Sequence, residues 1–148
     1  MPLPVAAVSA GTVEHTLRCA SVAIQAGEHY GHEAILTERE ILAAEGLEER
    51  PIASAQVGTF YGEPKMHRAD LAVLREEGTI AIEVELTPKG AGRLGRIISG
   101  WLEAILGAGE LTEVHYVCSP GQTRRAVERA VAKTQAQDFI AIIEAVPQ

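Results

Sequence analysis

The stretch "DLAVLREEGTIAIEVELT", residues 70–87, limits the fold more than any other part of the chain. Two segments rich in Ile, Val and Leu, 70–75 and 79–87, are separated by a Glu-Gly-containing turn, the pattern of a β-hairpin. Side chains alternate along a strand, so Ile80, Ile82, Val84 and Leu86 share one face and Ala81, Glu83, Glu85 and Thr87 the other. A Glu76-Glu77 loop pairs positions summing to 153 and sets Asp70 opposite Glu83; a Glu77-Gly78 loop pairs those summing to 155 and sets it opposite Glu85. Either register gathers three carboxylates on one face of two otherwise apolar strands.

A solvated face would account for acids there, because antiparallel strands often keep one side wet. Like charges directly opposite each other are destabilising, however, and a merely wet face would more naturally pair them with Lys or Arg. Convergent carboxylates are what a hard cation such as Mg2+ or Mn2+ needs, since it takes oxygen ligands and keeps waters. Without the cation the three groups would repel one another and raise the pKa of at least one.

The remaining periodicity supplies the other layers. Val13, Leu17, Ala20 and Ile24 recur at three- and four-residue steps and predict a helix from Thr12 to about Tyr30, stopped by Gly31. In "TERE", Thr37 and Glu40 form a capping box for a second helix that Gly46 ends. Residues 48–65 give no firm element; "SAQVGTFYG" fits a short strand, with Pro51 and Pro64 bracketing the region as loop. Arg93–Leu106 reads as a helix with Leu94, Ile97, Ile98, Trp101, Leu102 and Ile105 on one side. Gly95 and Gly100 each cost it about 1 kcal/mol of helix propensity and suit a helix lying close on a sheet. A strand at Val114–Ser119, a helix at Thr123–Lys133 and a strand at Phe139–Val146 follow. This order predicts an α/β fold around a mixed sheet, and 148 residues make one domain, 1–148, with a real core.

Charge bears on partners. The net charge of −7 looks unfavourable for nucleic acid, but it is unevenly spread. Residues 1–64 hold 3 Lys/Arg against 9 Asp/Glu, and residues 65–148 hold 10 against 11. The basic residues thus concentrate with the hairpin; Arg93, Arg96, Arg124 and Arg125 near helix starts are candidates for binding phosphates. Gly90, Gly92 and Gly95 fit a dinucleotide glycine pattern only weakly. Apolar residues make up 47% without a run approaching membrane-spanning length, which argues against a membrane protein. The N-terminal stretch has no basic region before its small apolar segment and is not read as a secretion signal, so a cytoplasmic location is expected. Cys19 and Cys118 lack metal-type spacing and read as buried reduced thiols, and only His67, close to Asp70, is a histidine candidate for the site. Large aliphatic residues on the helix ending at Leu106 and on the last strand predict a homodimer.

An Asp at the start of one strand and Glu-x-Glu on the next, framed as helix, hairpin, helix and strand, resembles the PD-(D/E)XK nuclease core. "RAD" (Arg68–Asp70) stands where that family has Pro-Asp, and "EVE" (Glu83–Glu85) where it has (Asp/Glu)-x-Lys. "HRADLAVL" and "IAIEVELTPK", together with "VEHTLRCASVAI" and "LTEREI", also resemble the C-terminal region of actinobacterial replication-relaxation proteins. The resemblance implies a restriction-endonuclease-like fold, DNA as partner, and Mg2+ or Mn2+ held by Asp70, Glu83 and Glu85, with Glu14 at a place where some members add an acid. It implies metal-dependent phosphodiester hydrolysis with Asp70, Glu83, Glu85 and Lys89 as catalytic residues. Glu85 replaces the family's lysine, and Lys89, just beyond Pro88, is placed to reach back in its stead. A degenerate relative that binds DNA or a protein without catalysis, and an unrelated α/β domain with surface acids, are the alternatives the sequence leaves open.

Overall fold

The computed structural model describes residues 10–144. Its elements are α1 (Ala10–Tyr30), a short 3-10 turn (His32–Ala34), β1 (Ile35–Thr37), α2 (Glu38–Glu48), β2 (Ser54–Phe60) and β3 (Glu63–Arg68). They continue with β4 (Leu71–Val73), β5 (Thr79–Glu85), α3 (Ala91–Leu106), β6 (Leu111–Cys118), α4 (Gln122–Thr134) and β7 (Ile140–Glu144). Five strands form a mixed sheet in the order β1-β4-β5-β6-β7, and β2 and β3 form a separate two-stranded sheet.

The alternation in the opening motif produces the central hairpin. Leu71 pairs with Ile82, Ala72 with Ala81 and Val73 with Ile80, which is the register summing to 153. β5 then pairs in parallel with β6, and β6 with β7, each through a crossover helix. With a strand on either side and helices over both faces, every residue of β5 is buried, Glu83 and Glu85 included. One face carries Leu71, Val73, Ile80, Ile82, Val84 and Val117 against Val22, Cys19, Ala23 and Ala26 of α1. The other carries Ala72, Ala81, Val114, Tyr116 and Cys118 against Leu94, Ile97, Ile98 and Trp101 of α3 and Val127 of α4.

Several expectations shift. The Val13, Leu17 and Ile24 stripe of α1 points outward, and the neighbouring face bearing Val22 and small residues packs on the sheet instead. The capping box at Thr37 and Glu40 forms, but α2 runs past Gly46 to Glu48 and ends with Glu49 in a left-handed conformation. Residues 54–68, to which pattern assigns only a short strand, form a hairpin with Pro64 inside β3; its turn places Tyr61 and Gly62 at positive φ. That hairpin lies close on α3 at Gly100, where a Cβ would come 2.6 Å from the Gln56 carbonyl oxygen. Gly95 faces open space and has no such role. Leu106 is exposed and β7 lies at the sheet edge, while Ala145 and Val146 of the expected last strand fall outside the described residues. Among the described residues no helix is long and apolar enough to cross a membrane.

Candidate functional site

Burying two carboxylates on a central strand requires partners for them, because an unpaired buried charge is costly. Glu83 is 2% exposed, and its Oε2 lies 2.7 Å from Nε2 of His67, which the end of β3 brings across. The His67 ring in turn stands edge-on to Trp101, with centroids 5.9 Å apart. Glu85 is 5% exposed and receives a hydrogen bond from Nζ of Lys89, four residues on, so the lysine beyond Pro88 does fold back onto the motif.

Asp70 behaves differently from its register. The β4 ladder begins only at Leu71, opposite Ile82, so the N–H of Val84 has no β4 partner and donates to Asp70 Oδ2 at 2.8 Å. Oδ1 of Asp70 lies 3.4 Å from Nε2 of His15 on α1. Asp70 is therefore engaged by the α1 layer, and Glu83 by His67, whose ring stands against Trp101 of α3. The expected sharing of one sheet face holds for Glu83 and Glu85 but not for the Asp70 carboxylate. Glu14, one residue from His15, is exposed and outside the cluster.

The electrostatics follow from this enclosure. Burial pushes the Glu83 carboxyl up; the His67 contact opposes this, Asp70 and Glu85 add to it, and the result is about 7. Burial works against the charged form of His67, but the hydrogen bond and charge of Glu83 outweigh it and raise its pKa above the usual value. The two form one coupled unit that holds a proton to higher pH than either free side chain would. Tyr116, paired with Glu83 across β5 and β6, is fully buried, and burial with the charges of Glu83 and Glu85 holds its phenol well above the ordinary range. Trp101 is near enough to ease that ionisation, yet its Nε1 and the Tyr116 oxygen both fall outside hydrogen-bond geometry with any partner. Burial, and secondarily the charge of Asp70, pushes the Cys19 thiol up to about 12.

A hard divalent cation needs oxygens that converge and are free to ligate. Here the oxygens of Glu83, Glu85 and Asp70 are held by His67, by Lys89, and by Val84 N–H with His15 nearby. Among the described residues they do not form a set of mutually close donors; the set that does is His15, Cys19 and Asp70. The arrangement as it stands fits internal neutralisation better than Mg2+ or Mn2+, so no chemical step is derived through either ion.

Lys89 also lines a cleft of about 1210 Å³ between α3, α4 and β2. Arg96, Arg129 and Lys133 project into it from the two helices, against Glu103 as the one acid of its lining. None of these three cations has an ion-pair partner among the described residues, and all are exposed or half-buried. Of the arginines singled out by sequence, Arg96 lines this cleft, whereas Arg93, Arg124 and Arg125 do not, and Arg124 is paired with Glu128. Arg129 and Lys133 carry no separate sequence signal, although their four-residue spacing on α4 places them on one helix face. Sequence singles out His67 only for lying near Asp70; its partner is Glu83. The His15–Cys19 pair escapes sequence reasoning because its third member comes from the sheet. Compared with known proteins, the chain matches no family model, no curated protein and no solved structure.

Proposed function

We propose that this chain is a nucleic-acid-binding module of nuclease-like, restriction-endonuclease-like architecture whose carboxylate cluster is neutralised from within. The observation that carries this reading is the cleft itself: three cations without an ion-pair partner among the described residues, Arg96, Arg129 and Lys133, line one groove whose single acid is Glu103, in a chain with net charge −7. Three cations against one acid in a concave surface favour a polyanion, and a phosphate backbone supplies repeated charges along such a groove. DNA is the partner the sequence resemblance favours. Where Lys89 lines the cleft, its contact with Glu85 keeps that carboxylate from repelling the backbone.

Fluorescence anisotropy with labelled double- and single-stranded DNA tests the reading. Binding should weaken as salt rises, and Arg129→Ala with Lys133→Ala should lower the salt slope by about 0.9 for each duplex phosphate no longer neutralised. An affinity indistinguishable from wild type in the triple variant with Arg96→Ala, or no binding at low salt, defeats the proposal.

Lys89 supports a second reading, metal-dependent phosphodiester cleavage, because it stands against Glu85, where the resembling family carries its lysine. That reading requires Mg2+ or Mn2+ to displace His67 and Lys89 from Glu83 and Glu85. Plasmid cleavage that needs the metal, vanishes in Glu83→Ala and Asp70→Ala and weakens in Lys89→Ala would establish it; metal-independent or absent cleavage would leave the binding module.

A further inference from the structure

We propose that His15, Cys19 and Asp70 form a binding site for a borderline-soft divalent cation of the Zn2+ or Co2+ kind. His15 and Cys19 are four residues apart on α1, so their side chains stand on one face of the helix one turn apart. Asp70 approaches from the sheet. The three donor atoms lie within 4.8 Å of one another.

Two of the donor separations match edges of a tetrahedral shell, and the Cys19 sulfur, 3.8 Å from Nδ1 and 3.7 Å from Nε2 of His15, would reach its place by a side-chain rotation. With metal bonds of about 2.0–2.3 Å, the edges of a tetrahedron are about 3.4 Å between nitrogen and oxygen and about 3.6 Å between sulfur and nitrogen. Nε2 of His15 lies 3.4 Å from Oδ1 of Asp70 and 3.7 Å from Sγ of Cys19. Nε2 also lies 3.2 Å from the Val84 carbonyl, an interaction the cation would take over. The carboxylate is pre-aimed, because the Val84 N–H holds Oδ2 and leaves Oδ1 toward the histidine, the kind of outer support that orients metal ligands.

The donor chemistry selects the ion. Imidazole, thiolate and one carboxylate oxygen suit Zn2+ and its neighbours, whereas Mg2+ demands oxygen and six-coordination. The trio borders a cavity of about 530 Å³ lined also by Glu38, Arg39 and Arg68, which leaves room beside the three donors for a further ligand. Three protein ligands with an open position is the arrangement of zinc sites that bind water or substrate. Binding converts the Cys19 thiol to a thiolate and releases its proton to solvent. Asp70 would then serve this cation and not Mg2+ at the β5 carboxylates.

Co2+ titration of the metal-stripped chain reads the site directly. One equivalent should give a thiolate-to-cobalt charge-transfer band with intense tetrahedral ligand-field bands. Excess Mg2+ should leave this spectrum unchanged, and Zn2+ should abolish it by displacing the cobalt. Cys19→Ser should eliminate the charge-transfer band while Cys118→Ser keeps it, and Asp70→Asn or His15→Gln should weaken binding about 10-fold or more. Circular dichroism establishes that each variant is folded. A folded wild type without the band, a band that survives Cys19→Ser, or weak octahedral-type bands alone would each overturn the assignment.

Discussion

Replacing Glu83 by Gln should change how stability depends on pH more than it changes stability at any one pH. The Glu83 carboxyl titrates at about 7 in the folded chain, against an ordinary value of 4.5. A group whose folded pKa is raised stabilises the fold fully below its unfolded pKa, and that contribution is lost as pH rises through the folded value. At about 1.4 kcal/mol per pH decade, the loss between pH 4.5 and 8 reaches about 3 kcal/mol, shared with His67 because the two titrate together. His67, also raised, acts in the same direction. Gln keeps the length and volume of the side chain and removes the charge. Chemical denaturation in buffers from about pH 5 to about pH 8.5 should therefore show wild-type stability falling more steeply than that of the variant, with Glu83→Gln gaining up to about 3 kcal/mol on wild type across the range. Curves that stay parallel to within about 0.5 kcal/mol would refute the claim that burial holds this carboxyl's charge at a cost.

Three further outcomes follow from local geometry. Gly100→Ala should destabilise by about 1–3 kcal/mol in thermal or urea unfolding, since its new Cβ would press on the Gln56 carbonyl, while Gly95→Ala should stabilise by about 1 kcal/mol because nothing stands within 4 Å. Thr37→Ala removes the side-chain half of the capping box on α2 and should cost about 1 kcal/mol, measured the same way. In metal-free buffer at neutral pH, both thiols should alkylate far more slowly than a free cysteine, because burial pushes Cys19 and Cys118 each up to about 12; mass spectrometry of a timed iodoacetamide reaction would read this.

The parts of the fold that are legible in sequence are those where a short-range rule decides. Alternation and one turn specify the pairing of β4 with β5, and the Thr37-Glu40 spacing specifies the start of α2. Periodicity picks the wrong face of α1 because the helix has two candidate stripes. Val13, Leu17 and Ile24 are larger, but the face with Cys19, Ala23 and Ala26 lets the helix approach the sheet closely, and spacing alone does not choose between them. The β2–β3 hairpin is obscured by Pro64 and by the register shift between Gln56 and Gly58, and β1 is only three residues long. For the site, sequence places Glu83, Glu85 and Lys89 together, because they are near neighbours on one strand and its exit. It does not supply His67 as the partner of Glu83, or turn Asp70 toward α1, because both depend on where separate elements meet.

The division of the strands into two sheets has a consequence for how the molecule opens. The β2–β3 ladder shares no strand with the five-stranded sheet, and its residues Gln56, Val57 and Gly58 form one wall of the cleft. Amide protons of that hairpin can therefore exchange with solvent through a sub-global opening that breaks its packing on α3, whereas those of β5, paired on both edges, wait for rupture of the main sheet. The hairpin also carries His67, so an opening that widens the groove would release Glu83 from its partner while β5 itself stays paired on both edges.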